Sequence, residues 1–244
     1  MGKKLEFAWN TLVWLCLVLY MITLIFLDVG LDEELYYKLQ MRENVPATAG
    51  ISQKDLMHLD SKLSLYLRGW DKLEADDESL VISVNGVMQP AFNEHEIQHL
   101  QDCRRLFGKL SIAHDVFKWF VMASFLINLL LYGSGSKKYK NNADLWLGSG
   151  IILVPLGIFA LWAAIDFSSA FHFFHKLLFT NDLWLLDPRT DLLINICPQS
   201  MFMSMGLRIA LPSFALLLGI PLLTTVLNRI PERRKRKQNE VSDL

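Results

Sequence analysis

The sequence predicts an all-α membrane protein: a four-transmembrane-helix bundle with a small extracytoplasmic α/β segment, which holds a short hairpin, and an interfacial helix. Three observations lead there. Four stretches are almost free of charge, each close to the ~20 residues that a bilayer-spanning helix needs. Lysine and arginine gather at one side of those stretches. Between the first two stretches, Asn85-Gly86 separates two short apolar runs, the strongest local signal for a hairpin. The 244 residues are 52% hydrophobic and only 20% charged, with a mean hydropathy of +0.27. Soluble domains sit near 45–50% apolar and about 25% charged; the excess is modest overall but very uneven, and the four almost uncharged stretches exclude an ordinary soluble enzyme. Four spans are too few for a large transporter.

The first span covers 8–27 and holds no charged side chain. The second covers 116–132, with Lys118 near its start; the third covers 145–165 and contains Pro155; the fourth covers 209–228 and contains Pro212 and Pro221. Proline inside a span is tolerated where neighbouring helices satisfy the freed carbonyls. Lys3 and Lys4 precede the first span. Lys137, Lys138 and Lys140 fill the loop between the second and third. Arg229, Arg233, Arg234, Lys235, Arg236 and Lys237 follow the fourth. The positive-inside rule puts all three clusters, and both termini, in the cytoplasm. The chain then reads as one integral membrane domain, 1–244, with extracytoplasmic segments at 28–115 and 166–208 and a basic cytoplasmic tail at 229–244. The tail is a topology determinant with a secondary attraction to anionic lipid, not a nucleic-acid patch. The first apolar run is longer than a signal-peptide core, and Asp28-Val29-Gly30 is no A-x-A cleavage site, so it reads as an uncleaved signal anchor.

The outer segments carry their own signals. Ser52 and Asp55 have capping-box spacing. Leu56, Leu59, Leu63 and Tyr66 follow at helical spacing until Gly69, so 53–68 reads as a helix. A strand at 80–84, the Asn85-Gly86 turn and a return strand at 87–89 make the hairpin. An acidic run follows the helix: Asp71, Glu74, Asp76, Asp77 and Glu78. Asn93 caps another helix, with Glu96 at the third position of a capping box. Beyond the third span, Thr180-Asn181-Asp182 reads as a turn. Asp187-Pro188 reads as a helix start with proline at its first position. Leu192, Leu193, Ile194 and Ile196 make that helix apolar, and Pro198 ends it, so it reads as the interfacial helix.

The chemistry-bearing residues concentrate in these segments. All six histidines fall there, and five of them gather beside the second and third spans: His95 and His99, His172 and His175, and His114 at the outer end of the second span. An imidazole with an ordinary pKa is a natural base near neutral pH. Glu96, His99 and Asp102 share one helix face and can converge on one target. His95-Glu96-Ile97-Gln98-His99 also fits the HExxH pattern of zinc proteases, which needs a third ligand such as His175 or His172. Cys103 beside Asp102 is either a reactive thiol or a small packed residue. No G-x-S-x-G and no glycine-rich phosphate loop is present. Arg208 either snorkels or meets a phosphate or ester carbonyl. Three cysteines (Cys16, Cys103 and Cys197) lack the spacing of a disulfide framework or a zinc finger.

Two motifs carry a family resemblance. Asn93-Glu94-x-Glu96-x-x-His99-Leu100-x-Asp102 is one. Phe174-His175-x-x-x-Phe179-x-Asn181-x-x-Trp184-Leu185-Leu186-Asp187-Pro188-x-x-Asp191-x-Leu193-Ile194 is the other. With the four spans and their orientation, the chain resembles the lipoprotein intramolecular transacylases, membrane proteins of low-GC Gram-positive bacteria. The resemblance implies an acyltransferase of the bacterial plasma membrane. It would move the sn-2 acyl chain of a diacylglyceryl lipoprotein to the α-amine of its N-terminal cysteine, giving a lyso-form lipoprotein. It implies His99 and His175 as the catalytic pair. Asn93, Glu96, Asp102, Asn181, Trp184, Asp187, Asp191 and Arg208 support the site or position substrate. It implies lipoproteins and membrane lipids as partners, no nucleic acid, no cofactor and no metal. Residue 95 is usually another type in the family, residue 103 usually valine, and Gln199 stands where an acid is more usual.

Donor ester and acceptor amine then belong to one substrate, so the enzyme needs no nucleophile of its own. The expectation is that His99 is the base, with Asp102 or Glu96 fixing its tautomer, and that His175 polarises the carbonyl or protonates the leaving oxygen. Asp187 and Asp191 cap and orient the short helix. Two other classes remain: a membrane zinc protease, which a chelator would inhibit, and a non-enzymatic lipoprotein- or lipid-binding protein.

Overall fold

A computed structural model describes residues 2–73, 78–132 and 142–242. Glu74, Asp76, Asp77, Lys137, Lys138 and Lys140 lie outside these residues, as do the side chains of Arg233, Arg234, Lys235, Arg236 and Lys237. In chain order the elements are α1 (Lys3–Gly30), α2 (Glu33–Arg42), α3 (Val45–Ala49), α4 (Gln53–Leu67), β1 (Val81–Val84), β2 (Val87–Pro90), α5 (Glu94–Tyr132), α6 (Ala143–Ile165), α7 (Phe167–Leu178), α8 (Leu192–Ile196) and α9 (Gln199–Ser242). Among the described residues four helices, α1, α5, α6 and α9, are long and apolar enough to cross a membrane. Their large apolar side chains stay exposed, as at Phe125, Val154, Ile165 and Leu211. In water that surface would be unstable; against lipid tails it costs nothing.

The chain divides into two compact units. The first takes the starts of α1 and α6 and the later parts of α5 and α9: residues 1–23, 114–160 and 210–244. Its core is Trp14, Val18 and Leu217, with Leu145, Ile152 and Leu216 packed around them. Trp14 Nε1 donates to Ser149 Oγ at 3.0 Å. Gly148 permits that approach, because a Cβ there would stand 2.8 Å from the Trp14 ring. The Asn142 side-chain amide donates to Thr224 and Thr225 hydroxyls at 2.9 and 2.8 Å. Such interhelical polar contacts join helices where lipid offers no hydrophobic drive.

The second unit covers 24–113 and 161–209. The α4 face predicted by spacing is buried as expected: Leu56, Leu59, Leu63 and Tyr66 enter one cluster with Leu80, Ile82, Phe92, Ile97, Leu192, Leu193 and Ile196. Ser52 caps α4 by accepting from Asp55 N at 3.0 Å. The hairpin forms with Val84 opposite Val87 and Val81 opposite Pro90. Asn85 and Gly86 take φ of 52° and 83°, the left-handed pair a type I′ turn requires. The turn docks on Gly50 (φ +68), where Asn85 N donates to Gly50 O at 2.7 Å.

Three features differ from the sequence reading. The helix begun at Asn93 and the second span are one continuous element, α5, because no proline interrupts residues 94–132. Helix α7 arises where no helix is predicted, and α2 and α3 likewise. Asp187-Pro188 starts no helix. Residues 187–191 form a turn closed by Thr190 N and Asp191 N to Asp187 O (3.0 and 2.8 Å). The helix beyond it is only five residues long, and Leu192, Leu193 and Ile196 are buried in the unit's own core rather than presented to an interface. The amphipathic element of this region is α7, with Phe173 and Leu177 exposed and Ala170 and His175 buried.

Candidate active site

The first histidine is placed by a helix start. Strand β2 ends at Pro90, Ala91 and Phe92 turn inward, and Asn93 opens α5. The capping box closes reciprocally: Glu96 N donates to Asn93 Oδ1 at 3.0 Å, and Asn93 N donates to Glu96 Oε2 at 2.7 Å. The other carboxylate oxygen of Glu96 accepts from Leu193 N at 2.7 Å, across 97 residues of sequence. One buried carboxylate thus serves the first turns of two helices, α5 and α8.

Asp191 completes the clamp. Its Oδ1 accepts from Asn93 Nδ2 at 2.8 Å and from Thr190 Oγ1 at 3.0 Å; its Oδ2 accepts from Asp187 N at 2.8 Å. Burial raises the Asp191 carboxyl, but the hydrogen bonds outweigh burial and hold it below the usual range. His95 Nδ1 lies 3.9 Å from the same carboxylate.

One helical turn beyond Glu96, the His99 ring is buried. Its Nε2 lies 3.6 Å from Cys103 Sγ. Its Nδ1, also buried, bonds to no described residue. The second histidine comes from α7, which starts because Asp166 accepts from Ser169 N at 3.0 Å. Four residues separate Phe171 from His175, so the Nδ1–H of His175 donates to the Phe171 carbonyl at 2.7 Å. That bond fixes the tautomer and leaves Nε2 with a lone pair. Trp184 stacks on the His175 ring at 5.0 Å, and Phe171 closes it at 4.3 Å. Burial pushes the His175 pKa down, Phe171 pulls it back partly, and His172 adds a further lowering. The ring is neutral at neutral pH.

The two imidazoles stand 6.2 Å apart between centroids. Phe179 lies against both, at 5.3 Å from His99 and 5.7 Å from His175. Asn181 ties the turn after α7 to α5: its Nδ2 donates to Asp102 Oδ2 at 2.8 Å, while its carbonyl accepts from Trp184 Nε1 at 2.9 Å. The arrangement offers two buried imidazoles, each with one nitrogen uncommitted, inside an aromatic wall. It suits moving a proton during attack on a carbonyl.

Several expected partners stand elsewhere. Neither Glu96 nor Asp102 bonds to His99. Glu96 is spent on two backbone N–H groups, and Asp102 on Asn181 and Arg105. The same commitment removes Glu96 as the base of a HExxH site. Among the described residues no three His, Cys, Asp or Glu side chains gather to hold an ion. Asp187 is gripped by Arg189 (Nη2 to Oδ2, 2.6 Å), which brings its pKa to about 2. His172 is exposed and bonds to Ser168 O at 2.9 Å. Arg208 is exposed and bonds to no described residue. His114 belongs to the first unit, 3.2 Å from Thr23 Oγ1. Sequence reasoning missed the Phe171 carbonyl, and it held Phe179 only as a letter of the second motif, with no place at the site. The Phe-x-x-x-His spacing after Asp166 was the available signal for the first.

The model of the family described as lipoprotein intramolecular transacylase Lit matches residues 11–202, a stretch that includes both histidines. No curated protein matches by sequence. Among solved structures, the chain is similar to the membrane integral lipoprotein intramolecular transacylase Lit from Bacillus cereus, at 23% identity and TM-score 0.70, over 96% of this chain and 100% of that one. Two histidine-substituted forms of that protein also align. The arginine form has 23% identity and TM-score 0.64, over 97% of this chain and 96% of that one. The alanine form has 22% identity and TM-score 0.63, over 96% of this chain and 97% of that one. These likenesses establish a shared fold, and the family match covers most of the chain: the protein belongs to the lipoprotein intramolecular transacylase Lit family and is a membrane acyltransferase.

Proposed function

We propose that the protein transfers the sn-2 acyl chain of a diacylglyceryl lipoprotein to the α-amine of its N-terminal cysteine, with His99 and His175 as the catalytic pair. The observation that carries this reading is the pairing of two buried imidazoles, one of them locked in a single tautomer by the Phe171 carbonyl.

The amine nitrogen attacks the ester carbonyl carbon. Holding amine and ester together supplies an effective molarity equivalent to roughly 7–11 kcal/mol. His175 Nε2, carrying the lone pair, takes the amine proton. It returns that proton to the glyceryl oxygen as the carbon–oxygen bond breaks. His99 Nδ1–H, with Nε2 accepting from the Cys103 thiol, donates to the oxyanion. These roles reverse the expectation drawn from sequence, and the support is that His175 has no N–H left to give in its neutral form. Asn181, Asp102 and Trp184 position the His175 wall; Asn93, Glu96 and Asp191 position the turn that carries His99. Arg208 is free to meet a headgroup or ester.

The charge pattern of the sequence supports both termini in the cytoplasm and a site facing the outer leaflet, with 28–115 and 166–208 outside as parts of one membrane domain. Lipoprotein and lipid are the partners.

The test is tandem mass spectrometry of a model lipoprotein's N-terminal peptide from a host without its own N-acylating enzyme. Transfer of one acyl chain from glycerol to nitrogen at constant mass, lost in well-expressed His99→Ala and His175→Ala variants, supports the proposal. An unchanged diacylglyceryl peptide beside abundant wild-type protein sinks it.

A further inference from the structure

Apart from the two histidines, the second unit contains a cavity of about 330 Å³ lined by Tyr66, Lys72, Leu73, Gln101, Arg104 and Arg105. Three of these six residues are cations and none is an anion. Their engagement is unequal. Arg104 is held in place, its guanidinium 4.8 Å over the Tyr66 ring and its nitrogens 3.4 and 3.3 Å from the carbonyls of Gly69 and Asp71. Arg105 has one anchor, Asp102, and its side chain is 68% exposed. Among the described residues the Lys72 ammonium has no hydrogen-bond partner and no ion pair. The adjacent Asp71 carboxylate is already taken by Lys62 at 3.1 Å and by Lys72 N at 2.8 Å.

Two guanidinium forks, one ammonium, a phenol and an amide make a donor set for a tetrahedral oxyanion. Arginine supplies planar paired donors and lysine a point charge. A single carboxylate would be satisfied by one fork; a phosphate uses all three cations. The cavity's surroundings indicate where that phosphate comes from. Trp70 lies between the two carbonyls that Arg104 holds and is 73% exposed, with the Arg68 guanidinium 5.4 Å from its ring. An exposed indole beside arginine is the side-chain pairing of the headgroup region. A small soluble ion has no use for it.

We propose that this cavity binds the phosphate of an anionic glycerophospholipid headgroup, with Lys72 and Arg105 as its replaceable contacts and Arg104 as its fixed wall. The bound lipid would be distinct from the acylated substrate. The cavity and the histidine pair share one connection, the chain Arg105–Asp102–Asn181.

The experiment uses the full-length protein in neutral detergent. Its thermal unfolding is followed with micelles containing phosphatidylglycerol, with micelles containing phosphatidylcholine, or with inorganic phosphate alone. Phosphatidylglycerol should raise the midpoint saturably, while phosphatidylcholine and inorganic phosphate at the same concentration should not. Lys72→Gln, an exposed position that cannot unsettle the fold, should weaken that response, and Lys72→Gln with Arg105→Gln should weaken it by about tenfold or more. Lys38→Gln, an exposed α2 lysine paired with Glu34, should leave it unchanged. Equal responses to the two lipids, an equal response to inorganic phosphate, or an undiminished response in the double variant would overturn the proposal.

Discussion

The Nδ1–H of His175 donates to the carbonyl of Phe171, one helical turn earlier, at 2.7 Å. The bond leaves His175 able to accept a proton at Nε2 and unable to donate one until it has done so. His99 has a free Nδ1 instead. Glutamine substitution separates the two roles, because its amide can donate a hydrogen bond but cannot act as a base. His175→Gln should lose about 10²–10⁴-fold in rate. His99→Gln should retain measurable activity, well above His99→Ala, which loses about 10²–10³-fold with its oxyanion donor. Initial rates of lyso-peptide formation, normalised to protein in the membrane, check this; the opposite ranking would reverse the two roles.

Glu96 is expected to matter to the fold rather than to the chemistry. Its carboxylate satisfies Asn93 N and Leu193 N in a buried place. Glu96→Ala leaves both N–H groups without a partner, at about 1–3 kcal/mol for each group orphaned. Glu96→Gln keeps one acceptor and should cost less than Glu96→Ala. Melting of the purified variants in detergent gives the order wild type, Gln, Ala. A Glu96→Ala protein that melts with wild type yet is inactive would place the carboxylate in the reaction.

The long-range clamp explains what could and could not be read from sequence. The spans were legible because lipid demands an unbroken apolar run, and the hairpin because Asn85-Gly86 tolerates a backbone few other pairs adopt. The α5 cap was legible because its partners are three residues apart. The second partner of Glu96 was not, since Leu193 N is an ordinary backbone group 97 residues away. That distant bond also caps the first turn of α8, whose own N-cap residue, Asp191, makes no side-chain cap bond there. His99 and His175 were marked as the candidate pair by resemblance. Helix spacing suggested Asp102 as His99's partner, whereas Asn181 and Arg105 occupy it in three dimensions. Helix α7 was hidden because its Phe171-His172-Phe173-Phe174-His175 run directly follows the third span and reads as a continuation of that apolar stretch, although Ser168, His172 and Lys176 recur at helical spacing.

A thiol 3.6 Å from an imidazole has the spacing of a nucleophile and its base. If the acyl chain paused on Cys103, Cys103→Val would abolish transfer. Direct attack by the amine needs no thiol, so Cys103→Val should stay within about tenfold of wild type. The loss expected is only that of a weak S–H bond orienting His99. Trapping with iodoacetamide, followed by peptide mass analysis, provides the second check: no acylated Cys103 peptide should accumulate.

A chelator separates acyl transfer from zinc proteolysis. With Glu96 serving two helix starts and His95 facing Asp191, the HEIQH segment has no assembled site among the described residues. Transfer should proceed unchanged after EDTA treatment, and stoichiometric zinc should be absent from metal analysis of active protein. Activity lost to EDTA and restored by zinc would return the protease reading.

The pH profile follows from burial of His175. Its pKa is lowered chiefly by desolvation, so the ring stays neutral where an exposed histidine, with a pKa of about 6.5, would be half charged. The substrate α-amine has a pKa of about 7.7–8.0 and must be neutral to attack. The value of kcat/KM should therefore rise with pH toward about 8 and then level, with no second break near 6.5. Trp184→Ala removes the stacked indole and lets water reach the ring. In that variant an added break should appear nearer 6.5, while the amine limb stays in place. The stability effect has a matching sign. Unfolded His175 takes up its proton near 6.5 and folded His175 only at lower pH. Its contribution is thus intact above about 6.5 and lost progressively as the pH falls below it. Wild-type and Trp184→Ala profiles that superimpose would show that the indole does not control His175 protonation.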